Sequence, residues 1–160
     1  MPAATPGRVV ASVAVLTAVA AGGCGGGGSR LSRSEFVKRA NAICARYEQK
    51  VRQATAGIQP GSNEQIVAAI DKAIPVIRDG NDELRALDPP RELEDGFAKW
   101  MKGSADEVAV TERLRDAIRK KDGSAARAAL EQLRAKDARQ DQLARKQLGI
   151  SGCASASSER

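Results

Sequence analysis

Residues 32–51 read SRSEFVKRANAICARYEQKV, and their spacing decides the fold. Ser32 followed three places later by Glu35 is a capping-box pattern, in which two polar side chains satisfy the free amides of a first helical turn. Phe36, Ala40, Ile43, Tyr47 and Val51, with Ala54 beyond them, then recur at intervals of three and four. That is one apolar face of an α-helix. Gly57 and the Pro60-Gly61 pair punctuate its end.

The same grammar repeats downstream. Ser62-Asn63-Glu64-Gln65 opens a second helix whose stripe is Ile66, Ile70, Ile74, Ile77, Leu84 and Leu87. Pro75 falls inside it and removes one backbone hydrogen bond, so the helix is expected to kink or split there, and Gly80 weakens the same region. Asp88-Pro89-Pro90 breaks the pattern, with Asp88 a candidate cap. Glu92, Glu94 and Asp95 then place negative charge at the positive end of a third helix dipole. This helix carries Leu93, Phe97, Trp100, Met101, Val108, Thr111 and Ile118 and runs to about Lys121. Asp122-Gly123-Ser124 is the next turn. A fourth helix carries Ala126, Leu130, Leu133, Ala144 and Leu148 and stops at Gly149. Short connections make sequential helices antiparallel neighbours, so the expected fold is all-α, an antiparallel up-down four-helix bundle. With two Phe, one Trp and one Tyr in 160 residues, its core must be built largely from Ala, Leu, Ile and Val.

Upstream of the bundle lie Arg8, an apolar run over residues 9–21, Gly22-Gly23-Cys24 and the glycines to Gly28. A positive start, a short apolar core and small residues form a secretory signal. The run falls short of the roughly 20 apolar residues that span a bilayer. Ala21-Gly22-Gly23-Cys24 resembles the lipobox of bacterial lipoproteins, although Leu is usual where Ala21 stands. The resemblance implies a diacylglycerol on Cys24 and cleavage just before it; plain secretion is the rival reading. The domain plan is therefore a signal peptide at 1–23, the lipidated cysteine and a Gly/Ser tether at 24–33, the helical bundle at 34–153 and a disordered tail at 154–160.

Lipidation of Cys24 also resolves the odd cysteine count, three in the chain. It leaves Cys44 and Cys153, which an oxidising compartment would join; two unpaired buried thiols are the alternative. Loss of residues 1–23 removes only Arg8 among charged groups, so the net charge of +6 becomes about +5. This modest excess suits a solvated surface or attraction to anionic lipid headgroups. Export and the lack of a dense basic cluster argue against nucleic acid as a partner.

The chain contains no histidine. Zinc hydrolases, di-iron bundles, haem attachment and serine triads all lean on that residue. No Gly-x-Ser-x-Gly elbow or phosphate-cradling loop is present. No catalytic residue, cofactor or metal site is therefore assigned. Asp137 and Asp141 nevertheless fall on the apolar face of the fourth helix, and Arg115 on that of the third. Two inward carboxylates one turn apart are costly unless paired or wet. Either they border a polar pocket, with Tyr47 and Arg115, able to receive a cationic ligand or a metal ion, or the helix is rotated by part of a turn, or Tyr47 and nearby Arg and Lys side chains satisfy them.

Glu35-Phe36-x-x-x-Ala40-x-x-Ile43-Cys44, Leu84-x-x-Leu87-x-Pro89-Pro90, Lys121-Asp122-Gly123 and Leu148-Gly149-Ile150-x-x-Cys153 together resemble a group of small exported helical lipoproteins of high-GC actinobacteria. The resemblance covers nearly the whole mature chain. It implies no active site and strengthens the pairing of Cys44 with Cys153. The expected role is a lipid-anchored, extracytoplasmic, non-catalytic binding or structural module of the cell envelope, partnered by the membrane through its lipid and by an envelope protein. The alternative is a small-ligand or cation carrier using the pocket between helices.

Overall fold

The computed structural model describes residues 30–59 and 61–153. The signal segment, Cys24, the glycine tract and the tail at 154–160 lie outside the described residues. Four helices follow in order: α1 (Arg33–Ala54), α2 (Asn63–Arg85), α3 (Glu94–Arg119) and α4 (Gly123–Gln142). A 3-10 turn at Arg91–Leu93 precedes α3, and α4 continues as a π-helical segment, Leu143–Leu148. No strand occurs among the described residues. The bundle is up-down and antiparallel, as the sequence leads one to expect.

Three helix starts are capped by side chains. Ser32 Oγ accepts from the Glu35 amide at 3.3 Å, Ser62 Oγ from Gln65 at 3.3 Å, and an Asp122 carboxylate oxygen from Ala125 at 3.0 Å. Only the second start is reciprocated, by Gln65 Oε1 accepting from the Gly61 amide; Glu35 instead pairs with Arg39. Asp88 does not act as a cap. Its backbone carbonyl accepts from the Leu31 amide at 3.0 Å, and α3 is entered through the 3-10 turn. This bond draws the chain before α1 onto the end of α2. Arg30 adds hydrogen bonds to the Pro89 carbonyl and to Glu94. Arg30 and Leu31, ahead of the expected domain start at residue 34, are thus tied to the bundle.

Pro75 does not split α2, which is helical from Asn63 to Arg85. The proline lies on the exposed face, and so does Asp71, whose carbonyl loses its amide partner. Gly80 is no weak point either. It is buried, and a Cβ there would come within 2.8 Å of Tyr47 Cγ; the missing side chain lets the Tyr47 ring seat on α2.

The main core lies where α1, the end of α2 and the start of α3 meet the end of the chain. Phe36, Ala40, Ile43, Leu84, Leu93, Phe97, Trp100 and Met101 pack there with Ala144, Leu148 and Ile150. Phe36 meets Phe97 edge-on, with ring centroids 5.2 Å apart, a favoured aromatic geometry. A smaller cluster at the far end joins Val110, Leu114 and Ala129. The fourth helix is turned slightly from the expected stripe there: Ala129 is buried while Leu130 is 44% exposed.

The chain closes by a left-handed stop. Gly149 takes φ 76°, and the Ile150 amide bonds back to the Ala144 carbonyl at 2.8 Å, a Schellman-type end that buries Ile150 completely. The following residues lie along α1, where the Gly152 amide donates to Asn41 Oδ1 at 2.8 Å. Cys153 and Cys44 stand at disulfide distance, Cα–Cα 5.0 Å. Continuous seams join α1 to α2, α2 to α3, and α3 to α4. No comparable seam joins α1 to α4; α1 reaches the end of the chain chiefly through Phe36, Asn41 and Cys44.

Candidate functional site

The missing fourth seam leaves two cavities side by side over α2 and α3. One, of about 280 Å³, lies among α2, α3 and α4, with Ile74, Ile77, Val108 and Leu133 as apolar walls and Glu107 and Asp137 as polar ones. The other, of about 340 Å³, lies among α1, α2, α3 and the terminal residues, bounded by Tyr47, Val51, Gly80, Trp100 and Cys153. Ile77 and Ser104 line both, so the two cavities adjoin, a cleft in two parts with α1 and α4 as its rims. At the midpoint of the floor Ser104 Oγ lies 2.8 Å from Asn81 Oδ1, and Ser104 donates. Clefts of this size, mostly apolar with a few polar groups, are the usual form of small-ligand sites between helices.

The expected polar residues are only partly gathered here. Asp137 lines the first cavity and Asp141 is buried one turn on. The inward face read from the sequence is thus real. Tyr47 lines the neighbouring cavity rather than that of Asp137, with Lys50 Nζ 4.1 Å from its ring centre. Arg115 belongs elsewhere. It pairs with Asp116 at 2.9 Å and with Asp71 at 3.3 Å, which joins it to the α2–α3 seam. Hydrogen bonding to Asp116 holds the Arg115 pKa above its ordinary value, and Arg115 in turn holds the Asp116 carboxyl below the ordinary range.

Glu107 is the residue that sequence reading missed. Its Oε1 is buried without a hydrogen-bond partner. Loss of water pushes its pKa up to about 7, helped by the charges of Asp137 and Asp141 and opposed by Lys136. A signal for it existed. Trp100, Ser104, Glu107 and Thr111 fall at spacings of four, three and four, which places Glu107 on the inward face of α3. Leu93, Phe97 and Val108 drew the eye to their apolar neighbours instead.

The rim where α3 approaches α4 is set by a glycine. A Cβ at Gly103 would overlap the Gln140 amide. Gln140 is buried and its Nε2 donates to the Trp100 carbonyl at 2.8 Å, holding α4 against α3 just beside the cleft. Among the described residues no group of three or more acidic or cysteine side chains is disposed to hold a metal ion, and no helix is long and apolar enough to cross a membrane. No protein-family model, curated protein or solved structure matches the chain.

Proposed function

We propose that the chain is a lipid-anchored module on the outer face of the cell membrane, whose helical domain binds a small ligand without transforming it. The observation that carries the binding reading is the shared cleft. Each part is walled by three helices, largely apolar, and provided with a few polar groups at fixed positions. The non-catalytic reading is supported by a sequence without histidine and without a recognisable nucleophile–base set.

Anchoring is supported by the signal-like segment ending at Cys24. The tether is short: from Gly25 to Ser29 it covers at most roughly 18 Å when extended, before Arg30 and Leu31 are tied to the end of the bundle. An acyl chain on Cys24 would therefore hold the domain close to the membrane, main-core end first.

Expression of the full chain in a bacterium that processes lipoproteins tests the anchor. The expected product lacks residues 1–23, carries a diacylglycerol on Cys24 and sediments with membranes, while Cys24→Ala protein is released. Persistence of the Cys24→Ala protein in the membrane fraction, with Met1 retained, refutes it.

A further inference from the structure

The cleft has a chemical bias that narrows what it can hold. Its first cavity is walled on α2 by Ile74 and Ile77 and on α4 by Leu133. Glu107, whose Oε1 is the one buried side-chain oxygen without a hydrogen-bond partner among the described residues, lines the α3 wall of that cavity. A carboxylate oxygen out of water is costly unless something donates to it. The groups around it are of both signs. From α4, Asp137 and Asp141 add negative charge; Lys136 opposes them, but its Nζ already lies 3.5 Å from Asp106 on α3. Arg134 lines the cavity from α4 and is itself exposed.

We propose that this cavity takes a small organic ammonium with a short aliphatic body, its N–H groups donating to the Glu107 carboxylate and its hydrocarbon lying along Ile74, Ile77 and Leu133. This rests on the reading of the domain as a binding module and deepens it. An ammonium supplies the missing donor and the compensating charge together, whereas a neutral alcohol supplies only the donor. A carboxylate would meet Glu107 and Asp137, with exposed Arg134 and the already paired Lys136 as the cations to offset them. A bare metal ion would need several ligating oxygens, and the described residues offer no such group. The adjoining cavity, reached past Ile77 and Ser104, gives a longer body room to extend toward Tyr47. The raised pKa of Glu107 agrees with this assignment: bound ammonium would hold the carboxylate ionised, so affinity rises as pH passes upward through about 7.

The test uses an isosteric series, n-pentylammonium, 1-pentanol and pentanoate, titrated above neutrality into the full-length chain in phosphatidylcholine nanodiscs. Backbone amide shifts of Ser104, Glu107 and Thr111 are followed by NMR. Glu107→Gln, which keeps the shape, removes the charge and turns one acceptor oxygen into an NH2 donor, is titrated in parallel, so that partition into lipid cancels. The expected result is pentylammonium binding at least about tenfold tighter than pentanol or pentanoate, with that preference lost in Glu107→Gln while pentanol is unaffected. Equal binding of pentanol, tighter binding of pentanoate, or an undiminished preference in Glu107→Gln overturns the ammonium assignment and leaves the binding cleft standing. No shift with any of the three overturns both.

Discussion

Glu107→Gln should make the protein more stable, by an amount that depends on pH. In the unfolded chain Glu107 loses its proton near its ordinary 4.5; folded, it keeps the proton up to about 7. Between those values the folded state binds more protons than the unfolded one, so stability falls as pH rises through the window. Below it the burial of a neutral carboxyl costs little. Above it the folded state carries an ill-solvated charge. Taken at face value the shift corresponds to about 3 kcal/mol, but the side chain keeps some solvent contact, and screening reduces this to roughly 1–2 kcal/mol. Glutamine cannot ionise and escapes the loss. Thermal melts of the two proteins by circular dichroism should coincide below pH 4.5 and diverge above pH 7, with the variant melting roughly 3–8 °C higher at the alkaline end. Parallel melting across the whole range, or a variant less stable above neutrality, would show that Glu107 is not held in a desolvated position and would remove the basis for its role in the cleft.

Gly103→Ala should cost roughly 2–4 kcal/mol in urea unfolding, because the added methyl displaces Gln140 and breaks its hydrogen bond to Trp100; a change under about 0.5 kcal/mol would contradict the close helix approach. Phe36→Ala removes a fully buried ring that also meets Phe97 and should cost roughly 3–5 kcal/mol by the same measurement. Cys44→Ser with Cys153→Ser should lower stability by about 4–5 kcal/mol on the chain-entropy model, given a sequence separation of 109; an oxidised wild type that unfolds at the same urea concentration as the double variant would refute the cross-link.

The helices were legible because their signals are local. Ser32, Ser62 and Asp122 each lie three residues ahead of the amide they cap, and Phe36, Ile74, Leu84, Phe97 and Leu148 sit on the faces that their spacing assigns. What escaped was non-local. Pro75 looks like a break until one knows that its face is bathed in water. Gly80 looks like a weakness until Tyr47 arrives from α1, and nothing local to Gly103 shows that Gln140 will seat against it. The rotation that buries Ala129 rather than Leu130 depends on how α4 leans on α3, which periodicity does not encode. The site was half legible for the same reason. Asp137 and Asp141 betray themselves by standing in an apolar stripe, but their effect on Glu107 crosses from one helix to another. Arg115, read as facing inward, has partners on α2 that no pattern within α3 reveals.

The absence of a seam between the two outer helices gives the molecule the mechanics of tweezers. α1 and α4 are each riveted to an inner helix along their length, yet among the described residues α1 meets the end of the chain chiefly around Phe36, at the Asn41–Gly152 hydrogen bond and where Cys153 meets Cys44. Their far tips, near Ala54 and Ala126, share no comparable seam. Severing the sulfur clasp would then leave the end of the chain held to α1 by packing around Phe36 and one hydrogen bond from Gly152 to Asn41.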